Sequence, residues 1–118
     1  MHNFKNIIAW QKAMSLVKEV YLLTEKFPKQ EVYGLVSQIN RSAISIPSNI
    51  AEGSGRNSNK DFMRFLDISI SSSFELETQI LLAKELGFIT EEKMILILEK
   101  LVEVQKLIFG FQKTLNNN

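Results

Sequence analysis

Apolar residues recur at three- and four-residue intervals along almost all of this chain, the spacing of helices that each bury one face. The pattern predicts four helices. The first runs from about Ile8 to Lys26, with Trp10, Ala13, Val17, Tyr21 and Thr24 on its inner stripe. Phe27-Pro28-Lys29-Gln30 is the first turn. The second helix runs from about Glu31 to Glu52, with Val32, Val36, Ile39, Ala43, Ile46 and Ile50 facing inward and Gly34 as a weak spot in its first turn. Gly53-Ser54-Gly55-Arg56-Asn57 is the next break. Ser58 then reads as an N-cap, with Asp61 three residues on as a capping-box variant, and the third helix reaches about Leu86, where Gly87 suits a left-handed closing residue. Thr90 caps a fourth helix running to about Thr114, with Glu91 and Glu92 in its first turn, favourable to the helix dipole, and Ile97, Leu101, Val104, Ile108, Phe111 and Leu115 inward. Short connections between long helices make antiparallel neighbours. The expected fold is therefore all-α, one up-down-up-down antiparallel four-helix bundle over residues 1–118.

Three departures from a plain bundle pattern stand out. Pro47 sits inside the second helix, where it removes a backbone donor and crowds the carbonyl of Ala43, at a cost of about 3 kcal/mol in a helix interior. Ser45, Ser48, Asn49 and Glu52 surround it with short polar groups able to reach freed backbone, and Gly53 follows. Pro47, Asn49, Glu52 and Gly53 thus form a candidate structural motif that fixes the shape of this helix. Second, Gln38, Ser42, Ser45, Asn49 and Glu52 make a polar stripe beside the apolar one. That stripe is either a solvated face or a polar seam at a subunit junction. Third, the third helix carries two apolar stripes. One is Phe62, Phe65, Ser69, Ser72, Leu76, Ile80 and Ala83; the other is Met63, Ile70, Phe74 and Leu81. The fourth is similarly broad, adding Met94, Ile95, Leu98 and Val102. A helix apolar on two sides is buried on two sides, so Met63, Ile70, Phe74 and Leu81 are expected at a contact between copies of the chain.

Composition narrows the chemistry. The chain has no cysteine and one histidine, His2, which leaves no thiol nucleophile, no Cys-ligated metal and no serine with an imidazole to activate it. A carboxylate-bridged metal site built on Glu52, Glu75 and Glu77 would need Glu-x-x-His pairs that the sequence lacks. Gly53-Ser54-Gly55 has neither the strand nor the lysine of a nucleotide-binding loop. No cofactor and no enzymatic activity are expected. With no signal-peptide pattern near the N-terminus and no membrane-spanning run, the chain is expected in the cytoplasm. Fourteen basic and thirteen acidic residues nearly cancel, so a nucleic-acid partner would have to use a local patch.

The carriers would be Arg41, Arg56, Lys60 and Arg64, the last three around the turn between the second and third helices, with Lys5 and Lys12 as possible additions. The third helix's N-terminal amides add positive character there. Against this, Arg41 and Arg64 can instead pair with Glu52, Glu75 or Glu77 and tie helices together.

Trp10-Gln11-Lys12-Ala13, Glu31-Val32-Tyr33-Gly34-Leu35, Arg41-Ser42-Ala43-Ile44, the run Ser45-Ile46-Pro47-Ser48-Asn49-Ile50-Ala51-Glu52-Gly53, Arg64-Phe65-Leu66 and Glu75-Leu76-Glu77-Thr78-Gln79 together resemble the four-helix-bundle proteins of the 23S rRNA intervening-sequence type. Ser71 stands where that resemblance implies glycine. The chain is also similar to the accessory variability determinant proteins of diversity-generating retroelements. The resemblance implies a barrel- or cone-shaped homopentamer. By the retroelement analogy it implies binding to RNA or DNA and to a protein partner such as a reverse transcriptase. A ring of this kind without nucleic acid, serving only as a protein-interaction scaffold, is the alternative.

Overall fold

The computed structural model describes residues 2–117. After a short 3-10 turn at Phe4–Asn6, four helices follow: α1 (Ile8–Thr24), α2 (Leu35–Ser54), α3 (Asn59–Glu85) and α4 (Glu91–Asn116). No strand occurs among the described residues. α1 packs on α2, α2 on α3, α3 on α4, and α4 returns to α1, in a body of 46 × 24 × 19 Å. The bundle core is built from Ala13, Leu16 and Val20 of α1, Ile39, Ala43, Ile46 and Ile50 of α2, Phe62, Leu66, Leu76 and Ile80 of α3, and Leu101, Val104 and Ile108 of α4.

The local signals for helix ends in the second half of the chain act as expected. The Ser58 hydroxyl accepts the amide of Asp61 at 3.1 Å and the Thr90 hydroxyl accepts that of Lys93 at 3.2 Å, each satisfying a donor that a helix start leaves unpaired. Gly87, at φ +79°, closes α3: its amide reaches the Lys84 carbonyl at 3.0 Å and that of Phe88 reaches Ala83 at 2.9 Å. Phe88 then packs on Phe27, ring centroids 5.6 Å apart, joining the α3–α4 turn to the α1–α2 turn.

The first half departs from the expected pattern in three places. The buried stripe of α1 is Ala9, Ala13, Leu16, Val20 and Thr24, whereas Trp10 and Val17 are half-buried and Tyr21 is exposed. The second helix begins at Leu35, not Glu31: Lys29–Glu31 is a 3-10 turn, Gly34 precedes the helix with a non-helical backbone, and Val32 is exposed rather than core. Finally, Gly53 does not break the helix. It is buried in the last turn of α2, and a Cβ there would lie 2.7 Å from both Cδ1 of Phe62 and Cβ of Phe65. Its role is to let α3 approach α2.

Two polar seams run through the helix contacts. Between α2 and α3 the Ser42 hydroxyl lies 3.0 Å from Glu75 Oε1 and 2.9 Å from Gln79 Oε1. In the same seam the hydroxyls of Ser45 and Ser72 share a 2.7 Å bond, and Ser69 donates to the Ile46 carbonyl at 2.8 Å. Between α3 and α4, Gln105 donates to Ser73 and Glu77 at 3.2 and 3.1 Å, and Gln112 donates to Asp67 at 2.8 Å. Among the described residues no buried side-chain polar atom lacks a partner. The polar stripe of α2 is therefore largely a seam inside the subunit, with Gln38 and Glu52 left exposed.

Candidate nucleic-acid interface

The turn from α2 to α3 is short: α2 ends at Ser54 and α3 begins at Asn59. The Ser54 hydroxyl donates to Ala51 O at 2.6 Å, the amides of Gly55 and Arg56 reach Glu52 and Gly53 carbonyls, and Ser58 starts α3. This geometry brings Arg56, before the cap, beside Arg64, in the second turn of α3. Their guanidinium carbons stand 4.5 and 4.6 Å from the centroid of the same ring, Phe65, which is itself only 5% exposed. A buried aromatic plate thus orients two cations at the surface. Asp61 lies between them: Arg64 reaches it at 3.0 Å, and Arg56 lies 3.9 Å from it and 3.9 Å from Glu52.

Arg56 and Arg64 are therefore brought together as the sequence suggests, with exposed Lys60 on the same turn. Two carboxylates offset three cations, so the patch is only weakly positive. The carboxylate of Arg64 is Asp61, not Glu52, Glu75 or Glu77. Exposed ion pairs of this kind are worth about 0–1 kcal/mol, so a phosphate can displace them cheaply. Phe65 and Asp61 are the residues that sequence reasoning missed here. Asp61 was legible only as a cap neighbour, and Phe65 only as core.

Arg41 is not part of this cluster. It lies on α2 about 20 Å before the helix end, at 1.5 Å rise per residue. It makes no ion pair among the described residues and lines an open groove by the α1–α2 turn. Lys12 pairs across to Glu103 of α4 at 3.5 Å, and Lys5 sits in the N-terminal 3-10 turn.

The other expected sites resolve as follows. Asn49 donates to the Ser45 carbonyl at 2.8 Å, and Ser69 serves that of Ile46. Side chains do reach the backbone around Pro47, but not at Ala43. Pro47 is buried at the α1–α2 groove with Trp10, Met14 and Val17, and α2 runs through it without interruption. Glu52, Glu75 and Glu77 do not converge: they serve Arg56, Ser42 and Gln105 respectively. Of the four residues expected between copies, Phe74 and Leu81 are 50% and 43% exposed, Met63 is half-buried against the core, and Ile70, at 7%, belongs to the core itself. Ile70 therefore does not belong to that contact; it lies on α3 far enough inward to be covered by the same chain. No described helix is long and apolar enough to cross a membrane.

The comparisons with known proteins fit this architecture. The family model described as 23S rRNA-intervening sequence protein matches residues 5–110. Among solved structures, a protein of unknown function from the S23 ribosomal protein family of Bacteroides thetaiotaomicron VPI-5482 superposes with a TM-score of 0.79 at 26% identity, covering 89% of this chain and 98% of that one. No curated protein matches the chain. A match over residues 5–110 spans all but the ends of the bundle, and the chain belongs to the 23S rRNA-intervening sequence protein family.

Proposed function

We propose that this protein is a non-enzymatic, cytoplasmic homo-oligomer of antiparallel up-down-up-down bundles that binds nucleic acid through the α2–α3 turn. The observation that carries the binding is the pair Arg56 and Arg64 held on Phe65, beside Lys60 and the start of α3. The pairings Ser45 with Ser72, Ser42 with Gln79, and Ser73 with Gln105 support the antiparallel order. Exposed Phe74, Leu81, Ile95, Val102 and Phe109 on α3 and α4 support self-association. A ring needs a second, different face to receive them. The groove between α1 and α2 lined by Trp10, Met14, Val17, Ile44 and Pro47 supplies an apolar one. A homopentamer is the assembly that the family resemblance implies. One subunit's few charges bind weakly, and repetition around a ring multiplies them.

The test is a titration of labelled RNA and DNA against wild type and an Arg56/Lys60/Arg64 triple alanine variant of unchanged mass. Wild type should bind at low salt, weaken steeply as salt rises, and show little sequence preference, because phosphate contacts position without reading bases. The variant should lose most of this binding. Equal binding by both proteins, or none by wild type, would favour the second reading, a protein-interaction ring. The Asp61 and Glu52 pairings are the observation on its side.

A further inference from the structure

Tyr33 is the most exposed of the large hydrophobic side chains among the described residues, at 97%. The turn explains how. Phe27 is buried, Lys29–Glu31 forms a 3-10 turn, and the Gly34 amide returns to the Glu31 carbonyl at 3.0 Å, so that Tyr33 falls on the outside of the tip, clear of the core. A tyrosine so placed adds nothing to the fold, yet it lines one side of an open groove of about 640 Å³ with Tyr21, Val32, Val36, Asn40 and Arg41, bounded at its far end by Ile44, which also lines the groove offered to a second copy. That volume lies within the roughly 300–1,000 Å³ of ordinary ligand sites.

Three features of the groove favour one kind of occupant. No residue lining it is acidic, and Arg41, alone among the three arginines, has neither a carboxylate nor an aromatic ring as partner among the described residues. Its charge is thus free for an anion. Two phenol rings, Tyr33 and Tyr21, offer stacking surface. One end of the Asn40 amide is taken by the Thr24 hydroxyl at 3.0 Å, which leaves the other end free to pair with a polar edge. A planar group carrying hydrogen-bonding edges, joined to an anion, matches this set. Lone phosphate leaves the rings unused, and an aliphatic protein surface leaves Arg41 unpaired.

We propose that this groove binds single-stranded nucleic acid, with a base stacked on Tyr33 and Arg41 on an adjoining phosphate. The proposal rests on the nucleic-acid reading of the preceding section and adds to it a second contact. This contact depends on bases where the α2–α3 turn depends on phosphate alone. Stacking is tolerant of sequence, so any preference is for single strands over duplex.

The experiment is fluorescence anisotropy with a labelled oligouridylate, an abasic strand of equal length and a duplex. Each is titrated with wild type, Tyr33→Phe, Tyr33→Ala, Arg41→Ala and the Arg56/Lys60/Arg64 alanine variant, after the mass of each assembly is measured. Tyr33→Ala should weaken oligouridylate binding about 5- to 160-fold, the usual worth of one stacked base. Tyr33→Phe should bind as wild type does. The abasic strand should bind wild type as weakly as oligouridylate binds Tyr33→Ala, and Arg41→Ala should lower affinity for both strands. Unchanged binding by Tyr33→Ala, alongside loss of binding by the triple variant, would overturn the groove while leaving the α2–α3 turn intact. Absence of binding by wild type would remove both. A Tyr33→Ala protein of altered mass would show that a second copy of the chain occupies the groove, and would overturn the proposal.

Discussion

Single side chains set both the packing and the charge of the α2–α3 end. Gly53 is there for space: a methyl group would meet Phe62 and the Cβ of Phe65 at 2.7 Å, and the latter cannot swing away. Gly53→Ala should therefore destabilise the fold by about 1–3 kcal/mol, the range for overpacking, and lower the melting temperature by several degrees. Gly110 is the contrast. It lies mid-helix in α4 with nothing within 4 Å of an added Cβ, so Gly110→Ala should stabilise by up to about 1 kcal/mol. Thermal melts of the two variants should move in opposite directions. Asp61 restrains Arg56 and Arg64 electrostatically. Asp61→Asn removes that competition while keeping the side chain's size, and RNA affinity at low salt should rise several-fold in a binding titration. A fall would place the phosphate elsewhere.

At the scale of elements, the polar seams tie α3 to its neighbours on both sides. Ser42→Ala leaves the buried Gln79 without its partner on α2. It should cost about 1–3 kcal/mol by denaturant unfolding, the penalty of an orphaned polar group. The existence and caps of α3 and α4 were legible in the sequence because Ser58, Thr90 and Gly87 act locally, through the few residues next to them. The inner stripe of α1 was not. Trp10, Val17 and Tyr21 face the groove beside α2, one residue out of phase with Ala9, Leu16 and Val20. A helix apolar over more than its core face gives no periodic signal for which edge turns inward. The start of α2 was missed for a different reason: Glu31-Val32-Tyr33 has helical spacing, and only the backbone at Gly34 sets it apart. At the candidate site, the cluster of Arg56, Lys60 and Arg64 could be read from position around the α2–α3 turn and along the start of α3. Its near-neutrality rests on Arg64 with Asp61 at i,i+3 and Arg56 with Glu52 at i,i+4, spacings present in the sequence, whereas the approach of Arg56 to Asp61 and Phe65 depends on how tightly the turn closes and was not legible there.

For the whole molecule, the question is what covers the apolar outer faces. Phe74 is half exposed and Ile70 is core, so the two separate assembly from folding. Phe74→Glu should leave the helical signal and melting of the bundle intact while breaking the oligomer, whereas Ile70→Glu should unfold the chain. Sedimentation velocity with labelled RNA tests at once whether the chain assembles and whether the assembly holds nucleic acid. At low salt the account predicts RNA moving with a protein species several times the chain mass, and RNA released from an unchanged protein species as salt rises. In wild type the log–log salt slope should exceed that of the Arg56/Lys60/Arg64 alanine variant by about 2 for each subunit engaged, at about 0.7 per phosphate contact on a single strand. A protein that sediments as a monomer, or an oligomer that leaves RNA behind at every salt concentration, would contradict it.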